Sequence, residues 1–125
     1  MPLEKCLFFI STHLITEDEK KFCESMNKNN YEIFYSIGEE ATAENVEELF
    51  LAVDGDLTSE SMVLIYFRGE LIDVDGFYYL DTKGFKKESP FTTGFEFTQF
   101  LYSIEKTDRI FFLFGIPDFI FQWEK

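Results

Sequence analysis

One histidine, two cysteines and twenty-four carboxylates are the groups in this 125-residue chain that could move a proton, attack a carbonyl or hold a metal. His13 follows Ser11 and Thr12, which sets a potential base beside two hydroxyls, the raw material of nucleophilic catalysis. Glu70, Asp73 and Asp118 could supply a carboxylate pair for acid–base work, although nothing in their spacing sets the distance between them. Solvated loop acids and an exposed loop histidine are the simpler reading of all four. One histidine among scattered acids has no metal-ligand spacing, and no cofactor is expected. Cys6 lies in an apolar run and Cys23 in a helical one, so both read as buried thiols rather than as a disulfide framework. No Gly-x-Gly-x-x-Gly and no phosphate-binding loop follows a strand, which argues against dinucleotides and nucleoside triphosphates.

The elements that must position these groups alternate in type. Lys5–Ser11 (KCLFFIS), Tyr31–Ile37 (YEIFYSI), Met62–Phe67 and Arg109–Phe114 are near-continuous apolar runs, the pattern of strands covered on both faces. Between the first two, Thr16 is a good N-cap and Glu17, Asp18 and Glu19 suit the positive end of a helix reaching about Lys28. Phe22, Cys23 and Met26 form its buried stripe, and Asn27, Asn29 and Asn30 end it. Thr42 caps a second helix whose apolar face is Val46, Leu49, Phe50 and Val53, with Gly55 at its end. Leu71–Leu80 turns at Asp75-Gly76, a hairpin signal. Residues 81–92 read as loop, and a third helix is expected over Phe95–Ile104. The order predicts a single α/β domain over residues 1–125, an open and mostly parallel sheet of about four strands with helices on both faces and a small hairpin after the third strand.

The net charge of −13 favours solubility and opposes nucleic acid, since phosphates must be met by Lys and Arg. Acidic membrane surfaces are disfavoured for the same reason. No run approaches the ~20 apolar residues that span a bilayer, and no leader-like segment is evident at the N-terminus. With two unpaired cysteines this points to a cytoplasmic protein. Seventeen phenylalanines are a heavy load for a domain of this size to bury.

Ligands in open α/β sheets bind beyond the carboxyl ends of the strands. Those ends here are Ser11-Thr12-His13, Ser36-Ile37-Gly38, Arg68-Gly69-Glu70 and Gly115-Ile116-Pro117-Asp118. A receiver-type phosphoacceptor site would need an acidic cluster after the first strand and an Asp ending the third; Ser11-Thr12 and Arg68 stand there instead. The chain resembles the large-subunit half of the caspase-like cysteine peptidases over roughly Lys5 to Asp118. The resemblance rests on Tyr31-Glu32-Ile33, on Ala41-Thr42-Ala43-Glu44-Asn45-Val46, and on Met62–Phe67 with Gly69 and then Asp75-Gly76-Phe77-Tyr78-Tyr79-Leu80. The strand Arg109–Phe114 completes it.

The resemblance implies a caspase-like three-layer fold that has lost its reaction. Glu70 stands at the position of the family's catalytic His and Pro117 at that of its nucleophilic Cys. Proline has neither a nucleophile nor a backbone N–H for an oxyanion hole. The expected protein is therefore not an enzyme but a decoy or regulator, binding an active caspase-family protease or its activator. The family's small subunit extends the sheet beyond the strand that precedes the Cys. The corresponding partner-binding edge here would be Phe111, Phe112, Leu113 and Phe114 with the tail Phe119, Phe121 and Trp123. In the competing reading, the aromatic tail folds back and caps that edge itself. A homo-oligomeric assembly protein, as a homodimer, is the alternative function; an unrelated enzyme using His13 or the loop acids is the third.

Overall fold

The first strand, β1 (Lys5–Ser11), runs through the centre of the molecule, and every residue in it except Lys5 is buried. The computed structural model describes residues 2–96, 104, 106–116 and 119–121. Side chains alternate across a strand, so this apolar run must be covered on both faces. Cys6, Phe8 and Ile10 face one layer with Val46, Phe50 and Val53 of α2 (Ala43–Asp54). Leu7 and Phe9 face the other with Cys23 of α1 (Glu17–Lys28). Ring contacts tie each layer down: Phe8 and Phe50 meet tilted with centroids 4.3 Å apart, and Phe9 lies flat on Tyr66 at 4.7 Å.

The main sheet has the order β2-β1-β3-β7-β8. β2 (Glu32–Ile37), β3 (Met62–Arg68) and β7 (Ile110–Ile116) are parallel to β1 or to one another, in registers such as Phe8↔Phe34, Phe8↔Ile65 and Ile65↔Phe112. The mostly parallel four-strand sheet with flanking helices expected from the sequence is present. The fifth strand, β8 (Phe119–Phe121), folds back antiparallel on β7 with Gly115↔Ile120. This pairing covers the end of β7, Phe114–Ile116, as in the self-capping alternative; among the described residues Ile110–Leu113 pair on the β3 side only. The chain leaves β1 for β2 on one side and β3 on the other, so the strand order reverses between β1 and β3.

Both long helices start as their sequences dictate. Thr16 and Glu19 form a reciprocal capping box: the Glu19 N–H donates to Thr16 Oγ1 (3.1 Å) and the Thr16 N–H to Glu19 Oε1 (2.9 Å). Thr42 Oγ1 accepts from the Asn45 N–H (3.2 Å) at the start of α2. The helix ends differ in mechanism. Asn30, just past α1, takes φ 71°, the left-handed conformation that Asn tolerates. Gly55 follows α2 with a right-handed φ of −62°, so its freedom at positive φ is not what stops that helix.

The excursion after β3 is larger than the expected hairpin. β4 (Leu71–Val74) and β5 (Phe77–Leu80) pair antiparallel about Asp75 (φ 54°) and Gly76 (φ 88°). Two positive φ values at the tip match the twist of the flanking strands. A third strand, β6 (Phe95–Glu96), joins β5 through Leu80↔Phe95. Phe95 and Glu96 are therefore strand, where a helix over Phe95–Ile104 was expected; residues 97–103 of that stretch lie outside the described residues. The cause is tertiary. Phe95 is fully buried beside the ring of Phe50 at 6.0 Å, and a Cβ on Gly94 would come within 2.7 Å of Tyr79, so the chain here is pressed against β5. The expected loop at residues 81–92 contains the start of a short helical turn, α3 (Pro90–Thr93). Among the described residues no helix is long and apolar enough to cross a membrane.

Candidate functional site at the strand ends

The reversal of strand order brings the end of β1 beside the end of β3, where the Thr12 N–H donates to the Arg68 carbonyl (3.4 Å). Ser11 is buried there. Its hydroxyl donates to the His13 carbonyl (3.0 Å) and accepts from the His13 N–H (3.1 Å), so it is tied into a local turn rather than presented to a substrate. His13 itself is exposed. This geometry leaves the Ser11–His13 pair without the side-chain hydrogen bond that a nucleophile–base pair needs.

Arg68 dominates the site. On β3 it shares a face with Leu64 and Tyr66, which directs it under α1. It is 7% exposed and Glu19 only 2%. Arg68 Nε donates to Glu19 Oε2 at 2.7 Å, and its Nη2 donates to the Leu14 carbonyl at 2.6 Å. The Tyr66 hydroxyl donates to the same Glu19 oxygen at 2.7 Å. Both Glu19 oxygens are thus engaged, one by the helix cap and one by this pair of donors. Burial alone would raise the Glu19 pKa. Hydrogen bonds from the Thr16 N–H, Tyr66 and Arg68, with the guanidinium charge, outweigh it and hold the carboxyl below its ordinary value. Burial, and then the Glu19 carboxylate, pushes the Tyr66 phenol well up.

This cluster went unrecognised in the sequence, although two signals pointed to it. Thr16-x-x-Glu19 is a capping-box spacing. The alternation Leu64, Tyr66, Arg68 sends an arginine into an apolar layer, where it must find an acid. The other candidates are dispersed. Glu70 is exposed just beyond Arg68, and its carbonyl accepts from the Asp81 N–H (2.9 Å). Asp73 caps the β4–β5 turn, its Oδ1 accepting from the Gly76 N–H (2.8 Å). Pro117 and Asp118 lie outside the described residues, as does Trp123. Gly69 is dictated by packing: a Cβ there would meet the buried Phe67 ring at 2.7 Å.

Both thiols are buried. Cys6 sits near the amino end of β1, away from the strand ends, and burial with the nearby Glu32 charge pushes its pKa up to about 12. Burial also raises Cys23, partly opposed by a hydrogen bond with Tyr35. Among the described residues no group of three or more His, Cys, Asp or Glu side chains is placed to hold a metal ion.

At the far side of the sheet, Phe111 is 52% exposed. Phe112 is half-buried against the α2-side core, and Leu113 against the α1-side layer. β8 is paired with Phe114 of the stretch Phe111–Phe114; among the described residues Phe111, Phe112 and Leu113 are paired only with β3. The chain matches no protein-family model, and no curated protein matches it.

Proposed function

We propose that this chain acts by binding another protein, as a catalytically inactive caspase-like decoy or regulator of a caspase-family protease or its pathway. The observation that carries the binding part is the β7–β8 margin, where Phe111 is half exposed on a strand of the sheet and β8 has one strand neighbour among the described residues. The strand ends support the non-catalytic part. Arg68 is bound internally by Glu19, Ser11 by its own turn, and both cysteines are held as neutral thiols. The caspase-like part rests on the residue pattern given above, with Glu70 and Pro117 at the catalytic positions. The alternative is self-association through the same margin, with a charge of −13 on each copy opposing it.

Phe111→Asp tests the reading, because the side chain is already half in water and the fold should survive its replacement. Binding to a purified active caspase-family protease, read by calorimetry alongside inhibition of peptide cleavage, is expected for the wild type and lost in the variant. A wild type that neither binds nor alters such a protease would refute the regulatory role. A wild type that sediments as a dimer, dissociated by Phe111→Asp, would favour the assembly role.

A further inference from the structure

At the opposite margin of the sheet, β2 has β1 as its single sheet neighbour among the described residues, which leaves one side of its backbone facing outward from that sheet. Its sequence, EIFYSI, contains one charge, Glu32. Ile33, Phe34 and Ile37 are half-buried and Tyr35 is 50% exposed. An apolar, aromatic edge of this kind is a template for another strand. Grooves accompany it on both faces. On the α1 side, a groove of about 470 Å³ runs between α1 and β2, floored by Ile15, Cys23 and Ile33. On the α2 side, two grooves of about 340 and 300 Å³ follow one another along β2, floored by Phe34, Leu49 and Ala52.

The charges on these grooves are unequal. The α2-side pair carries Glu32, Glu40, Glu48 and Asp56 and, among the described residues, no Lys or Arg. The α1-side groove carries Glu24 and Glu32 with Lys20. An added strand sends successive side chains to opposite faces of the sheet. One set would enter the α1-side groove and the other the α2-side pair. The α2-side floor suits the aliphatic stem of Lys or Arg with its head among the carboxylates. The more neutral α1-side groove suits an apolar side chain.

We infer that β2 is a docking edge for an extended segment of a partner protein in which basic and apolar residues alternate. The segment joins β2 as a further strand. Backbone hydrogen bonds supply affinity, and the charge asymmetry of the two faces sets which side chains enter which groove. A second copy of this chain fits poorly, because its own edge would bring another −13 charge and the same glutamates. The inference concerns β2 alone and stands apart from the caspase-like reading of the other margin.

The test uses the full chain and a fluorescein-labelled peptide of alternating lysine and valine, read by anisotropy. Binding is expected to weaken as salt rises and to be lost when alternate peptide nitrogens are methylated on the edge-facing side. The exposed pair Glu48→Lys with Asp56→Lys should weaken it about tenfold, from reversal of two surface charges. Glu88→Lys with Asp108→Lys changes net charge equally at sites outside the grooves and should keep most of the affinity. Amide exchange should slow in β2 on binding. No binding, equal binding of a glutamate–valine peptide, or indifference to N-methylation would overturn the inference. So would equal loss in the two charge variants, or a self-associated protein whose β2 amides are already protected without peptide.

Discussion

The carboxyl end of β3 and the outer margin of β2 hold comparable chemistry and handle it in opposite ways. At the end of β3 an arginine, a glutamate and a tyrosine are drawn under α1, where each charged group answers another. Along β2 exposed glutamates stand beside aromatic and aliphatic groups such as Tyr35, which is half exposed. The difference follows from position. A polar side chain on a central strand beneath a helix must be paired, because burial without a partner costs several kcal/mol. An edge strand has no such requirement and keeps its polar groups available for another molecule. At the carboxyl end of β3 the protein's own side chains bond one another, and the margins of the sheet are where the proposed interactions would take place.

The largest effect should come from breaking the internal pair. Arg68→Met leaves the Glu19 carboxylate buried without its cation, and a loss of about 3–5 kcal/mol is expected in urea unfolding. Replacing both residues by methionine should recover much of that loss. A single variant as stable as the wild type would show that the two regions do not differ as described.

A smaller effect lies in pH. Glu19 has a folded pKa below its unfolded value, so its contribution is present above the unfolded carboxyl range near ~4.3 and is lost as pH falls through the folded value. Acidification from about pH 6 to about pH 3 should therefore destabilise the wild type more than Glu19→Gln, which has no proton to take up. Parallel urea midpoints for the two proteins across that range would remove Glu19 as the source.

The smallest effects on stability belong to the margins. Glu48→Lys on the α2-side groove should shift the unfolding midpoint by no more than about 0.5 kcal/mol, and Phe111→Ser by about 1 kcal/mol or less. A cooperative loss of structure in either variant would mean that these residues hold the fold rather than face a partner.

The element order was legible because it is local. Strands of uninterrupted apolar residues, threonines at helix starts and Asp75-Gly76 at a turn each act through neighbours in sequence. At Phe95 and Glu96, where the third helix was expected to begin, a local pattern met a distant surface: the two residues form a strand paired with β5, with Phe95 beside Phe50. The candidate site was harder to see for the same reason. Glu19 read as one of three acids at a helix start and Arg68 as a polar break, and 49 residues separate the two ends of their hydrogen bond.

Composition and periodicity alone determine the α/β class, the two capped helices, the central parallel strands and the strong negative charge, because each depends on residue type and spacing. Tertiary structure decided which polar groups are answered internally and which are left at the surface. It placed Ser11 in its own turn, set Arg68 against Glu19, brought β8 back against the end of β7 and put β2 at the margin of the described sheet. These are matters of which elements meet in space, and the pairing of distant groups has no periodic signature in the chain that carries them.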